Sequence, residues 1–311
     1  MYMSQRNTAP ILDFRKTKYI TPEAIPVLLS FGDYLSRLYK RNIQIVYTRG
    51  SELHNFFMVS KFYEISQKLD IFEWDDVSYE WYYKELRKLH KISYTDVEKI
   101  KEPMQKRDFI SDCLRDRSKV IYQNVLSDTN KLPENIIGAT IDAIVEIETN
   151  AIMYSQSHSF TYVASDRYGT KISIADSGIG FKESFLRNKR ELKMVKKFQG
   201  VEKKFNNYLV IMSALNYSFE KHMESKRDDL WSLRTDIIKN NGTFKIQYEN
   251  TQVIFSCNRC KNCTQINGKK DISICVQCLM RQYSIDTYSP IKIFNIGFQG
   301  VRVEVSINKE G

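Results

Sequence analysis

Glycine and proline are scarce in this chain, with 12 and 6 residues among 311, and histidine is scarcer still, with four. Such a composition excludes collagen-like repeats and long Gly/Pro-rich linkers. No run of about 18 apolar residues is present, which excludes an ordinary membrane-spanning helix. The first residues, MYMSQRNTAPILDF, lack the apolar core of a secretory signal, so a cytoplasmic location and no membrane partner are expected. The histidines, at 54, 90, 158 and 222, are scattered, and none opens a charged, proline-punctuated helix of the kind that carries a phosphoacceptor. His158 reads as a loop residue facing water. Cysteine is rare outside one place: five of six lie between positions 257 and 278, and only Cys113 lies elsewhere. In a reducing compartment that clustering points to metal rather than disulfides.

What is present suits a globular protein. Apolar residues make up 42%, and the length gives room for two domains with separate cores. The net charge of +10 favours non-specific attraction to polyanions and says nothing of fold.

The chain is organised around AIVEIETNAIMYS, which is followed by ISIADSGIGF. Ile137, Ile141, Ile144 and Val145 recur at helical spacing behind Pro133, which sits where a helix's first turn tolerates it. Glu146 and Asn150, four residues apart, then leave one face of that helix. A carboxylate and a carboxamide so placed can orient a water and complete a Mg²⁺ shell. Lys171 to Ala175 reads as a strand running into Asp176, with Gly178 and Gly180 letting backbone approach a ligand closely.

At these residues the chain resembles the GHKL superfamily of ATP-binding domains, which includes gyrase, heat-shock chaperone, histidine kinase and mismatch-repair ATPases. EIETNA resembles the family's N-box and DSGIGF its DxGxG box. The resemblance implies that Glu146 polarises the attacking water, Asn150 holds Mg²⁺, Asp176 accepts a hydrogen bond from the adenine amino group, and Gly178 and Gly180 shape the base pocket.

Residues 1–104 are expected to form a small α/β domain: a helical stretch over 22–39, the β-branched strand NIQIVY, then a second helical stretch, ELHNFFMVSKFYEISQKLDIF. This part distantly resembles the STAS-like domain that precedes a GHKL domain in some bacterial regulators. The aromatic group FEWDDVSYEWYYKEL reads as ordinary packing near a domain end. VEKIKEPMQKRD marks the boundary, and residues 105–311 form the second domain, whose first helix, FISDCLRDRSKVIYQNVL, carries Cys113 as an inert core thiol.

Within the second domain, SFTYVASDRYGTKISIAD predicts two strands around a turn at Asp166 to Gly169. Residues 181–227 occupy the place of the family's ATP lid and hold twelve Lys or Arg against five Glu. Lys226 and Arg227 are candidate phosphate contacts, and Tyr208, Ile211, Met212 and Leu215 form a stripe that should anchor the lid's second half. A helix follows from near Asp229 to the NNG signal. Asp228 and Asp229 stand where the family has glycines before its phosphate-receiving helix, which weighs against turnover more than against fold. Val301 likewise stands where the family often has Thr.

Cys260/Cys263 and Cys275/Cys278 are two CxxC pairs separated by 11 residues, a spacing that lets two hairpin turns clasp one tetrahedral Zn²⁺. Cys257/Cys260 is an alternative first pair. Four thiolates without histidine fit a structural site, so a zinc ribbon is expected over 257–281, inserted between strands of one domain. Arg259, Lys261, Lys269, Lys270 and Arg281 surround it, yet few aromatics are there to stack on bases, so a protein partner is favoured over nucleic acid. IKIFNIGFQGVRVEVSI predicts the two closing strands.

The expected fold is therefore α/β (α+β): a STAS-like domain, then a GHKL two-layer sandwich of helices on a mixed sheet, interrupted by a zinc ribbon. The expected function is a Mg²⁺-dependent, ATP-binding regulator with ATP, Mg²⁺ and Zn²⁺ as cofactors and a protein, a second copy of the chain included, as partner. Its alternatives are an anti-sigma-like serine protein kinase and a non-enzymatic, zinc-containing nucleic-acid-binding module.

Overall fold

The computed structural model describes residues 9–74, 90–95, 114–116, 118–119, 134–155, 157–166, 169–225, 230–257, 272–284 and 288–308. Among them the chain is mixed α/β, with a three-stranded parallel sheet followed by a five-stranded antiparallel one. No described helix is long and apolar enough to cross a membrane.

The first unit contains β1 (Leu12–Asp13), α1 (Ile25–Tyr39), β2 (Ile43–Val46), α2 (Glu52–Val59), α3 (Phe62–Lys68) and β3 (Phe72–Glu73), with sheet order β1-β2-β3. Helix α1 has proline in its first turn and stops at Lys40, whose left-handed backbone (φ 52°) returns its N–H to the Ser36 carbonyl. The second helical stretch divides in two because Lys61 also turns left-handed, at φ 60°. Ile25, Leu29, Ile43, Phe57, Phe62 and Phe72 are its fully or nearly fully buried core, and Phe160 joins them from the second unit.

The second unit contains β4 (His90–Thr95), α4 (Glu134–Asn150), which continues as a π-helical turn over Ala151–Ser155, β5 (Ser159–Asp166) and β6 (Gly169–Asp176). Next come α5 (Gly180–Arg187), α6 (Lys193–Lys197), α7 (Asn206–Ser225), α8 (Leu230–Lys239), β7 (Thr243–Ser256), α9 (Ser273–Arg281) and β8 (Ile291–Asn308). The sheet order is β4-β5-β6-β8-β7. Every described pairing in it is antiparallel, so the sheet is not the mixed one expected. The two closing strands are one long strand, β8, with register shifts in its partner β7 between Tyr248 and Thr251.

Period-two alternation assigns the faces of this sheet. Val163, Ile172, Ile174, Val303 and Val305 point into the core shared with α4, α7 and α8. The alternate residues point the other way, towards the first unit: Ser173 Oγ donates to the Glu23 carbonyl at 2.9 Å and Lys171 pairs with Glu23 at 2.8 Å. Helix α1 lies on β5, β6 and β8. The expected two-layer sandwich thus gains a third layer.

The basic segment after Gly180 is helical, and much of its charge is already paired. Arg187 meets Glu183 at 3.0 Å, Lys193 meets Glu220 at 2.7 Å, Lys196 meets Glu191 at 2.7 Å and Lys204 meets Glu202 at 2.9 Å. Such exposed pairs stabilise by roughly 0–1 kcal/mol each, but they leave less unpaired charge than the lysine count suggests. Tyr208, Ile211, Met212 and Leu215 are fully buried, as the stripe predicts.

Candidate functional site

The site is built from two adjoining strand ends and one helix. Asp176 closes β6 with the parity of Ile172 and Ile174, so it faces the layer that holds α4. Its Oδ1 accepts the Gly178 N–H at 2.9 Å, which folds the chain back at once into α5. Helix α5 packs against the π-helical continuation of α4, so the glycine turn and the segment after Asn150 are neighbours. Directly across the ladder from Asp176 is Ser159, the first residue of β5. Ser159 Oγ is buried and has no hydrogen-bond partner among the described residues, and the same holds for Thr149 Oγ1, one residue before Asn150. Burying a hydroxyl without a partner costs on the order of 1–3 kcal/mol. The Ser159 hydroxyl, across the rung from Asp176, marks a place where a polar ligand or water completes the structure.

Glycine is required at two positions here, for different reasons. Gly300 (φ +92°) lies so close to the turn that a Cβ on it would come within 1.9 Å of the Asp176 carbonyl oxygen. Gly180 (φ +70°) faces the ring of Tyr248, and a Cβ there would come within 2.5 Å of it. The missing side chain of Gly180 therefore serves packing of Tyr248. Burial, and then the neighbouring Glu249, push the Tyr248 hydroxyl well above the usual phenol range. Gly178 is held by its N–H on Asp176 and by its carbonyl, which accepts from Gln299 Nε2 at 2.7 Å.

Asn150 Nδ2 donates to Glu146 Oε1 at 3.0 Å, so these side chains meet across one helical turn, as their spacing predicts. Another carboxylate on α4, Glu148, is fully buried and accepts from Thr161 Oγ1 at 2.7 Å. Its position on the sheet-facing side of a helix that reads as amphipathic was the available signal. Sequence reasoning singled out neither Glu148 nor Ser159.

The expected metal sites are not found. Among the described residues no three His, Cys, Asp or Glu side chains converge as a cation site requires. This overturns the expected cofactor set of ATP with Mg²⁺ at Asn150, and Zn²⁺ on the cysteines, as far as its metals are concerned. At α4 the carboxamide and carboxylate engage one another instead of opening to a shared ion. In the cysteine segment, Cys275 and Cys278 lie on helix α9 and not in a hairpin turn. Cys275 is sealed in the core with Arg234 Nη2 3.9 Å from its sulfur, and Cys278 receives Gln282 Nε2 at 3.2 Å. Cys257 packs against the same core. Cys260, Cys263, Lys226, Arg227, Asp228 and Asp229 lie outside the described residues.

No family model, curated protein or solved structure matches this chain. The functional reading therefore rests on the geometry of its own residues.

Behind the turn, on the sheet's other face, the first unit supplies a polar cluster. Asp33 of α1 is 3% exposed. Its Oδ1 meets His158 Nδ1 at 3.1 Å, and its Oδ2 accepts from Ser177 Oγ. Arg37 Nη2 lies 3.0 Å from Asp33 Oδ2 and donates to the Ser177 carbonyl at 3.0 Å. His158 is thus a fastened, mostly buried residue and not a loop group facing water. Burial works to raise the Asp33 pKa, but the His158 hydrogen bond, the Arg37 charge and Ser177 outweigh it and hold the carboxyl below its usual range. A carboxyl depressed on folding stabilises fully above its unfolded pKa, and that stability is lost as pH falls through the folded value. Urea midpoints of wild type and Asp33→Asn should therefore differ most above about pH 5, and the gap should narrow as pH falls below the ordinary Asp value of about 3.9. A constant gap across that window would contradict the assignment.

Proposed function

We propose that the chain is an ATP-binding regulatory protein of the GHKL type, with a STAS-like first unit, in which Asp176 reads the adenine amino group. The observation that carries this is the pairing of a buried carboxylate, Asp176, with the partnerless buried hydroxyl of Ser159 across one rung of the sheet. A carboxylate only accepts and a hydroxyl both donates and accepts. Together they suit the edge of adenine, where an amino donor lies beside a ring-nitrogen acceptor. The sheet order, the helix carrying Glu146 and Asn150, and the return of β8 through Gly300 onto Asp176 are consistent with that reading.

Glu146 and Asn150 then lie at the phosphate side of the bound nucleotide. Calorimetric titration of ATP tests the assignment. Asn150→Ala and Ser159→Ala should each weaken binding by about 5–10-fold, as expected for one lost hydrogen bond of about 1 kcal/mol or slightly more. Wild-type affinity in both variants would count against it.

A further inference from the structure

The residues that flank the candidate pair share one anchor. Ser159 and Asp176 are directly opposite in the β5–β6 ladder. The residue before the first is His158 and the residue after the second is Ser177. Both are bonded to the single carboxylate of Asp33, one oxygen each. Because an ionised carboxylate only accepts, Nδ1 of His158 carries the proton and Ser177 spends its one hydroxyl hydrogen on Asp33. Arg37 then donates to Ser177 through both its hydroxyl and its carbonyl oxygen. One turn of α1 thereby fixes both strand ends from behind, while their working side chains face the opposite layer.

Nothing in the packing of the sheet alone requires this. Helix α1 is also fastened at its other end, where Glu23 meets Lys171 and Ser173, well down β6 from the turn. That second attachment holds the two units together without touching the turn. The Asp33 cluster instead acts on the residues bordering the ligand position. Its carboxylate is buried and fully engaged, so breaking it exposes an unpaired charge and costs more than an exposed ion pair.

We propose that Asp33 and Arg37 are positioning residues through which the first unit sets the geometry of the Ser159–Asp176 pair, and with it the affinity of the candidate site for ATP. The proposal rests on the nucleotide reading for its ligand but not for its mechanical part. Two measurements on the full chain separate them: amide hydrogen exchange over 157–160 and 176–180, and calorimetric ATP affinity. Asp33→Asn should speed exchange in both segments by about tenfold or more, the effect of about 1.4 kcal/mol on a local opening. It should also weaken ATP by about fivefold or more, the contribution of about one hydrogen bond lost from a displaced Ser159–Asp176 pair. Arg37→Ala should act in the same direction with smaller size, since that side chain is half exposed, and it serves if Asp33→Asn does not fold. Lys171→Ala, which removes the ion pair of the other attachment, should leave both segments and ATP affinity as in wild type. Unchanged exchange in a folded Asp33→Asn or Arg37→Ala protein would overturn the positioning role, and so would unchanged ATP affinity beside faster exchange. If wild type itself binds no ATP, the nucleotide reading fails, and the exchange result alone decides whether α1 holds the turn.

Discussion

Gly300→Ala is expected to destabilise the protein by about 3–5 kcal/mol, combining an unfavourable left-handed backbone with overpacking. The new methyl group would stand 1.9 Å from the Asp176 carbonyl oxygen and 2.7 Å from its carbon. Those are backbone atoms of a strand end already paired to β5, so neither can swing away as a side chain could. The backbone at Gly300, φ +92°, is itself disfavoured for alanine. Relief requires β8 to separate from β6 near the turn, which would carry Asp176 out of place. Gly297, three residues earlier on the same strand, is the control: its nearest neighbours to an added Cβ are at 3.8 and 3.9 Å. Urea denaturation should show Gly297→Ala within about 1 kcal/mol of wild type and Gly300→Ala far below it. Similar midpoints for the two variants would contradict the close approach of β8 to Asp176.

Arg234 gives the second large effect, with a sign that depends on the replacement. It is among the largest fully buried side chains of the described residues, 1% exposed, with its guanidinium 4.5 Å from the Trp231 ring centre and 5.0 Å from that of Phe255. Its Nε has no hydrogen-bond partner among the described residues, and its sulfur contact with Cys275 is long, at 3.9 Å. The two aromatic faces compensate part of the desolvation of that charge. Truncation to alanine removes these contacts and leaves a cavity between α8, β7 and α9, so a loss of about 2–4 kcal/mol is expected. Methionine fills most of the same space without the desolvated charge, and replacement of buried charge by apolar groups of similar volume is often neutral or stabilising by about 1–4 kcal/mol. Arg234→Met should therefore melt at or above the wild-type temperature while Arg234→Ala melts well below it. Equal losses in both would mean that the charge itself holds the core together.

The elements around the site were legible because each carried a local signal. The apolar spacing behind Pro133 predicted α4, the Asp and Gly of the turn at 166–169 predicted the β5–β6 hairpin, and NNG marked the end of α8, with Asn241 taking the left-handed conformation at φ 56°. The side of the sheet that Asp176 faces follows only from its place in the folded sheet. The cysteine segment was misread for a reason of the same kind. CxxC spacing equals one helical turn as well as a metal knuckle, and Ile272, Cys275, Val276 and Leu279 form a buried face that draws Ser273–Arg281, with the second cysteine pair, into a helix. Glu148 shares the spacing of the apolar face of α4, but its bond to Thr161 forms only in the fold, and Asp33 was illegible because its partners, His158 and Ser177, lie far away in sequence. Helix α1 read correctly as a helix, but nothing local in PEAIPVLLSFGDYLSRLYK shows that its polar turn fits behind a strand end over a hundred residues later.

The most direct measurement is a calorimetric titration of ATP and GTP into wild type and Asp176→Asn. Asparagine keeps an oxygen for the Gly178 N–H and so preserves the turn, but it can offer an amide donor where adenine also donates. Wild type should bind ATP and should bind GTP about 100-fold more weakly, because guanine presents a carbonyl oxygen to the carboxylate. Asp176→Asn should lose about 10–100-fold in ATP affinity, the value of one charge-assisted hydrogen bond. Equal binding of the two nucleotides to wild type, or an unchanged ATP affinity in a folded Asp176→Asn protein, would contradict the assignment of this turn as an adenine reader.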